Sequence, residues 1–337
     1  MDHLNLFLRP EQGIQQWIPG PPNPSDSNSL VVRDDHMVEL LDTVKQVGAT
    51  NVNVLICGES GTGKSTLARL IHRLSNRAQN HLIEVNCGAL AETLLESELF
   101  GHVRGAFTGA VRDKIGKFEK AHGGTLFLDD INSASLGMQT KLLRAIEDGI
   151  IERVGGNASI KVDSRIISAA NTDLLKEVSN HKFREDLYYR INVVCLEVPP
   201  LRQRKNEIPA MVEFFIERYN AIHGKRVKGI GPESLEKIMA YHWPGNVREL
   251  ENAVERAVVL CNSNSICLNL NSLSRHRHAT SHLSHNSLST AIDEYEKEIL
   301  LATLNNFQWD FKKAVDYLKI GRSTLFHKIK KHNIVRV

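Results

Sequence analysis

The 337-residue sequence lacks the features of membrane-spanning, secreted and disulfide-stabilised proteins. It contains no run of 18 apolar residues, which a membrane-spanning helix would need. Residues 1–10 lack the basic segment and the apolar run of a secretory signal. The five cysteines are odd in number, widely spread and never in a CxxC pair, so neither a disulfide framework nor a zinc site is expected. These absences favour a protein of the reducing cytoplasm.

The sequence also lacks a large net charge, since 42 Lys and Arg stand against 39 Asp and Glu. The charges are nevertheless unevenly distributed along the chain. Residues 310–337 hold eight basic and two acidic residues, a net charge of +6, which leaves −3 for the rest of the chain. A small basic module on a mildly acidic body is typical of a protein with a separate nucleic-acid-binding part.

The pattern of apolar residues divides the chain into five segments. Residues 1–30 end in a Pro-rich and Ser-rich stretch and predict a short tail. Strands and helices alternate over 31–200, which favours an α/β fold with a parallel sheet, and 201–261 predicts a smaller helical subdomain. Residues 262–289 predict a polar linker, and 290–337 predict a small helical module. A metal site at the linker histidines is the less favoured interpretation, because neither Cys nor carboxylate accompanies them: His276, His278, His282 and His285.

A glycine-rich loop follows the first strand predicted within 31–200. Residues 58–65, GESGTGKS, fit the phosphate-binding pattern GxxxxGK[ST] in the strand–loop–helix context that it needs. Backbone N–H groups and the helix N-terminus would surround phosphate oxygens, Lys64 would reach the β and γ phosphates of ATP, and the Ser65 hydroxyl would bind Mg²⁺. A glycine-rich turn without a ligand is the less favoured alternative. The expected nucleotide-binding residues are Gly58, Glu59, Ser60, Gly61, Thr62, Gly63, Lys64, Ser65 and Thr66.

Two carboxylates, Asp129 and Asp130, end a second apolar strand that begins at Thr125. Alone, such a pair is common at the end of a strand. Together with the glycine-rich loop it indicates nucleotide hydrolysis, in which Asp129 would hold Mg²⁺ through water and Asp130 would polarise the attacking water.

Between these motifs lies the hexapeptide GAFTGA, residues 105–110. On composition alone it is a small-residue turn. GAFTGA is, however, the signature of bacterial enhancer-binding proteins, the AAA+ activators of sigma-54 RNA polymerase, and the sequence resembles that family over 31–260. The end of the chain resembles the Fis-type helix-turn-helix that such activators carry. The resemblance implies an AAA+ P-loop NTPase with a parallel sheet and a helical lid, followed by an all-α helix-turn-helix domain.

The resemblance also implies roles for individual residues. Asn86 would switch the hydrolytic carboxylate, Asn171 would sense the γ-phosphate, and Arg248 would face the phosphates from the lid. At least one of Arg184 and Arg190 would reach the nucleotide of a neighbouring subunit. The loop that contacts sigma-54, with its phenyl ring and hydroxyl at the tip, would consist of Gly105, Ala106, Phe107, Thr108, Gly109 and Ala110.

Without the resemblance, the residues themselves favour simpler roles. Asn171 would form an Asx turn after a strand. The arginines would form surface ion pairs: Arg184 and Arg190 with Glu185 or Asp186, and Arg248 with Glu249 or Glu251.

Asp130 departs from the family, which usually has Glu at this position, and its side chain is one methylene shorter. We therefore expect nucleotide binding, together with slow turnover or an altered Asn86 switch.

The basic module has the pattern of a helix-turn-helix. Phe311, Val315 and Leu318 share one helical face, and Gly321 supplies the turn. In the second helix Leu325 and Ile329 would point inward. The residues expected to meet bases and phosphates are Arg322, Ser323, Thr324, His327, Lys328 and Lys331.

These features predict an ATP-driven transcription activator. Dimers would bind enhancer DNA, the AAA+ domains would form a ring, expected to be a hexamer, and hydrolysis would remodel the closed complex of sigma-54 RNA polymerase holoenzyme into an open one. The alternative, which Asp130 motivates, is a nucleotide-binding but poorly hydrolysing DNA-binding regulator, either a repressor or a co-regulator. Because residues 1–30 have no room for a receiver domain, we expect control by expression level or by a separate regulatory protein.

Overall fold

The computed structural model describes residues 15–17, 30–267, 309–332 and 334, together with 293, 295–297, 299–301, 303, 304 and 307. The chain divides into two compact units, Met1–Leu268 and Asn269–Val337. The four linker histidines lie outside the described residues. No helix among the residues described is long and apolar enough to span a membrane.

A five-stranded, fully parallel sheet forms the centre of the first unit. The strands of this unit are β1 (Gln15–Trp17), β2 (Leu30–Val32), β3 (Val54–Cys57), β4 (Leu82–Asn86), β5 (Gly101–His102), β6 (Lys114–Ile115), β7 (Thr125–Asp129), β8 (Ile150–Glu152), β9 (Ser159–Lys161), β10 (Arg165–Ala170), β11 (Val194–Glu197), β12 (Gly229–Ile230) and β13 (Ser265–Ile266). The central sheet has the order β11–β3–β10–β7–β4, and the other strands form two-stranded pairs. The predicted α/β fold with a parallel sheet is therefore confirmed.

Helices cover both faces of this sheet. They are α1 (Asp35–Gly48), α2 (Lys64–Arg73), α3 (Glu92–Phe100), α4 (Lys117–Lys120), α5 (Leu136–Glu147), α6 (Leu174–Ser179) and α7 (Glu185–Ile191). Successive residues of a strand face opposite sides, so Leu126 and Leu128 of β7 pack in the core with α3, α5 and α7. Phe127, between them, packs in the core with α1 and α2. Burial on both faces explains the continuous apolar runs that revealed the strands.

A helical subdomain follows β11. It contains α8 (Ile208–His223), α9 (Pro232–Ala240) and α10 (Asn246–Leu260), within the segment predicted to be helical. A proline in the first turn of α8 and Gly224 in a left-handed conformation after it set the helix bounds. Trp243 is fully buried before α10, and its Nε1 donates to the carbonyl of Ile238 at 2.8 Å.

The second unit contains the two helices that the sequence predicts, α11 (Phe311–Leu318) and α12 (Arg322–Lys331). Asp310 caps α11 by accepting from the backbone N–H groups of Lys312 and Lys313. Ala314 of α11 and Leu325 of α12 are fully buried in a small apolar core with Leu300 and Leu304. Two helices joined by a short turn containing Gly321 form the expected helix-turn-helix.

Candidate functional site

The glycine-rich loop joins β3 to α2 at the carboxyl edge of the central sheet. Gly58, Gly61 and Gly63 have φ values of 155°, 79° and 106°, which L side chains rarely adopt. Lys64 begins α2, and its buried ammonium group donates to the carbonyls of Gly58 and Glu59 at 2.7 and 3.0 Å. Burial lowers the pKa of Lys64. The loop thus holds a buried positive charge at the start of α2, as a phosphate site requires.

Asp129 lies at the end of β7, opposite the start of α2. Its Oδ2 accepts from the Ser65 hydroxyl at 3.4 Å. Burial raises the pKa of Asp129, and the neighbouring Asp130 raises it further. The structure therefore brings together the two oxygen ligands that the sequence predicts for Mg²⁺.

Asp130 sits between two asparagine side chains. Asn171 donates from Nδ2 to one carboxylate oxygen at 2.9 Å, and Asn86 donates to the other at 3.2 Å. The strand order places the ends of β4, β7 and β10 side by side, which brings the three residues together. Asp130 has a φ of 52°, an uncommon value for a residue other than glycine and one often found at functional sites. Asn171 therefore uses its side chain on Asp130, where the residues alone favoured a local Asx turn.

The helical subdomain contacts the glycine-rich loop directly. Arg248 donates from Nη1 to the Ser60 hydroxyl at 3.1 Å, rather than to the Glu249 or Glu251 carboxylate that the residues alone favoured. Its backbone N–H also donates to the carbonyl of Gly61 at 3.3 Å. A Cβ atom on Gly61 would lie 2.3 Å from the carbonyl oxygen of Gly245, so only glycine permits this approach.

Glu59 has a different environment from the one its place in the motif predicts. Its carboxylate accepts from both terminal nitrogens of Arg202 at 2.6 and 2.8 Å, and from Asn246 at 3.2 Å. The Arg202 hydrogen bonds lower the pKa of Glu59 to about 2. Asn246 is fully buried and also donates to the carbonyl of Ser60. Arg202 and Asn246 were not among the predicted site residues, although they lie close in sequence to Pro199-Pro200 and to Trp243.

A buried ion pair underlies the loop and was also missed. Arg204 and Glu207 are 1% and 0% exposed, and their closest atoms are 3.1 Å apart. Arg204 also donates to the carbonyl of Thr62 at 2.7 Å, while Glu207 accepts from the backbone N–H groups of Arg33 and Asp34. The pair therefore connects the glycine-rich loop to the segment that enters α1.

The two arginines expected to act on a neighbouring subunit lie at the start and near the end of α7. Arg184 forms an ion pair with Asp186 at 2.6 Å, as the residues alone favoured. Arg190 instead donates to the backbone carbonyl of Glu147 at 3.2 Å. Both contacts are at exposed positions of the first unit.

The GAFTGA hexapeptide forms an exposed loop between β5 and β6. It is closed by a hydrogen bond from the Gly105 N–H to the carbonyl of Ala110 at 2.9 Å. Thr108 is exposed. Phe107 is only 41% exposed, because its ring packs edge-on against the His102 ring, with 5.0 Å between the ring centroids. His102 is in turn held by the Ser97 hydroxyl at 2.8 Å in the interior. Phe107 thus has a specific resting contact at the base of the loop.

In the second unit, the predicted DNA-binding residues of α12 differ in whether they are exposed or held in ion pairs. Arg322, Ser323, Thr324 and His327 are exposed at its first turns. Two lysines at its other end are paired with acids of the preceding segment. Lys331 lies 2.6 Å from Asp293, and Lys328 forms an ion pair with Glu296, which His332 also contacts at 2.9 Å.

Comparison with known families agrees with this geometry. Residues 30–197 match the sigma-54 interaction domain, residues 202–289 match an AAA+ ATPase lid domain, and residues 291–332 match the bacterial regulatory proteins of the Fis family. The three matches follow one another along the chain in the order of the sheet, the helical subdomain and the helix-turn-helix. They define a regulator that combines an AAA+ domain with a DNA-binding domain.

The chain belongs to the sigma-54-dependent transcriptional activators. It is 44% identical over 307 residues to the transcriptional regulatory protein ZraR of Klebsiella oxytoca, covering 91% of this chain and 69% of the relative. It is 47% identical over 259 residues to FlbD of Caulobacter vibrioides, covering 74% of this chain and 57% of the relative. The structure of NtrX from Brucella abortus in complex with ATP has a TM-score of 0.67 and 35% identity, and covers 90% of this chain and 69% of NtrX.

Proposed function

We propose that this activator is an ATPase that uses ATP hydrolysis to convert closed complexes of sigma-54 RNA polymerase into open ones. The observation that carries the proposal is the placement of Asp130, whose two carboxylate oxygens are each held by an asparagine at the edge of the sheet that bears the glycine-rich loop. A carboxylate fixed in this way has one defined orientation toward an attacking water.

The described residues suit a nucleotide and Mg²⁺. The backbone of residues 58–63 and the N-terminus of α2 supply N–H groups for phosphate oxygens, and NtrX, with the same fold, has been solved with ADP and with ATP. Ser65 and Asp129 supply the oxygen ligands that Mg²⁺ prefers, and the bound ion would neutralise charge on the β and γ phosphates. When nucleotide binds, the Lys64 ammonium group would replace its two hydrogen bonds to loop carbonyls with hydrogen bonds to phosphate oxygens.

Several side chains would contribute to ATP hydrolysis, each with its own role. Asp130 orients and polarises water, Asn86 fixes the carboxylate, and Asn171 reports the state of the γ-phosphate. Arg248 would move from Ser60 to the phosphates. The AAA+ domains would form a ring, expected to be a hexamer. At least one of Arg184 and Arg190 would leave its present contact and complete the site of a neighbouring subunit in that ring.

The exposed loop of residues 105–110 would contact sigma-54 and couple ATP hydrolysis to a change in the promoter complex. Contact with sigma-54 would require Phe107 to leave His102, and nucleotide state must change the stability of this contact for ATP to do work. Dimers would hold the protein on enhancer DNA through α12, with Arg322 and Thr324 near base edges.

One experiment tests this proposal directly. ATP-dependent open-complex formation by sigma-54 holoenzyme is measured for the full chain, for Thr108→Ala and for Asp130→Glu. We expect the full chain to open promoters and Thr108→Ala to hydrolyse ATP without opening them. A full chain that hydrolyses ATP but never opens promoters would refute the activator mechanism.

A second candidate rests on the short side chain of Asp130. If only Asp130→Glu supports rapid hydrolysis and opening, the native chain is a nucleotide-binding regulator with a slow motor. Equal rates for the two forms would exclude this candidate.

A further inference from the structure

Two free cysteines lie side by side next to the glycine-rich loop. Cys57 is the last residue of β3, and Cys195 lies in the neighbouring edge strand β11, with 3.7 Å between the sulfur atoms. Cys195 is paired in register with Leu55, two residues before Cys57 on the same face of β3. The two thiols therefore meet diagonally across adjacent strands, on the face of the sheet that carries α7.

The two thiols differ in ways that suit sequential oxidation. Cys195 is exposed, and its hydrogen bond with Cys57 lowers its pKa, which favours the nucleophilic thiolate. Cys57 is half-buried directly beside it, in the position of a resolving thiol. Cys87 is buried, and burial raises its pKa to about 12.

We propose that Cys57 and Cys195 are a redox modification site that closes to a disulfide with hydrogen peroxide. The Cys195 thiolate attacks one peroxide oxygen, which yields a sulfenic acid and releases hydroxide. The Cys57 thiol then attacks that sulfur, so that an S–S bond forms, the S–O bond breaks and water leaves. In total two thiols are oxidised, one peroxide is reduced and two waters form. A thiol reductant restores both cysteines.

Closure of this disulfide would strain the start of the glycine-rich loop. An S–S bond is about 2.05 Å long, so the sulfur atoms must approach by more than an ångström. The backbone beside Cys57 has little freedom to follow, because its carbonyl accepts from the Val198 N–H at 2.8 Å and the next residue, Gly58, donates to Ala170. Gly58 also provides the carbonyl that holds Lys64. We therefore expect the oxidised form to bind nucleotide several-fold more weakly.

The chemical part of the proposal is tested on the reduced full chain by treatment with an equimolar amount of hydrogen peroxide. Thiol alkylation and non-reducing peptide mapping then identify the products. We expect a Cys57–Cys195 linked peptide within one chain, unchanged in the matched variant Cys267→Ser and absent in Cys195→Ser. Sulfinic acid at Cys195, or linkage between chains only, would overturn the site. This readout does not depend on ATPase or activator function.

The functional part is tested by the affinity for a fluorescent ATP analogue before oxidation, after oxidation and after reduction. A several-fold loss that is reversed by reductant, and that Cys195→Ser does not show, is the expected result. An oxidised protein with unchanged affinity would overturn the link to the loop. Failure of all forms, including reduced protein, to bind the analogue would instead count against the proposed function.

Discussion

Asn171 donates from Nδ2 to Asp130 Oδ1 at 2.9 Å, across the gap between the ends of β10 and β7. The contact joins residues 41 positions apart, which the parallel sheet brings to one edge. Because Asn86 holds the other oxygen, the carboxylate can turn away from its present orientation only if both hydrogen bonds break. A γ-phosphate that attracts either amide would therefore remove one of these two restraints on Asp130.

Asn171→Ala tests this relationship. Loss of a hydrogen bond to a charged group costs about 1.5–3 kcal/mol, so we expect kcat for ATP to fall roughly 10- to 100-fold while ATP affinity changes little. Steady-state ATPase assays and equilibrium binding measure the two effects. Asn132→Ala is the matched control, because the Asn132 side chain accepts from the backbone N–H of Asn171 at 3.3 Å and its substitution keeps the Asn171 side chain. Wild-type turnover in Asn171→Ala would contradict the role of the side chain.

The loss of Mg²⁺-dependent ATP binding at low pH should depend on Asp130. The pKa of Asp129 is raised first by burial and then by the charge of Asp130, so Asp129 becomes protonated at a higher pH than an ordinary aspartate. Mg²⁺-dependent ATP binding should therefore weaken as the pH falls through this raised pKa. Asp130→Asn removes one of the two causes and should shift the loss to lower pH. Binding titrations at several pH values, with Asp42→Asn on α1 as the control, measure the shift; identical profiles would refute the coupling.

Gly61→Ala should destabilise the first unit more than Gly63→Ala. Both glycines have positive φ, so each substitution carries a strain of about 1–2 kcal/mol. Only at Gly61 does the added Cβ meet the helical subdomain, 2.3 Å from the carbonyl oxygen of Gly245, while at Gly63 it meets nothing within 4 Å. Overpacking adds about 1–3 kcal/mol to the Gly61 variant. Urea unfolding in the absence of nucleotide gives the difference, and equal values would show that the contact is unimportant.

Asp293→Asn should strengthen binding to DNA of any sequence. The substitution releases Lys331 from its ion pair, and a lysine newly available to phosphate increases the salt dependence of binding by about one counterion. Asp316→Asn removes the same charge from α11 and serves as the control. Fluorescence anisotropy at several salt concentrations measures both slopes. If both variants have the same slope, simple charge loss explains the result and the ion pair has no specific effect.

The sequence predicts the sheet, the helices and the glycine-rich loop well, because apolar runs and a fixed motif are local signals. The partners of Asp130 came from family resemblance, since nothing local indicates that β4 and β10 flank β7. The contacts of Glu59 were not predictable. Its partner Arg202 is 143 residues away, and the ion pair depends on how the helical subdomain is placed over the loop. Likewise, the spacing of charges in α12 indicated a basic face but not that acids at 293 and 296 pair with two of its lysines.

The ion pair between Arg204 and Glu207 makes separate parts of the first unit dependent on one another for their stability. Removing one partner of a buried ion pair costs about 3–5 kcal/mol of folding free energy. Local opening around Arg204 or Glu207 alone would therefore leave the other charge buried without its partner. The backbone at Arg33 and Asp34 and the loop at Thr62 should therefore open as one cooperative unit. In native-state hydrogen exchange their amides should share one opening free energy, and Arg204→Ala should lower it for both segments together.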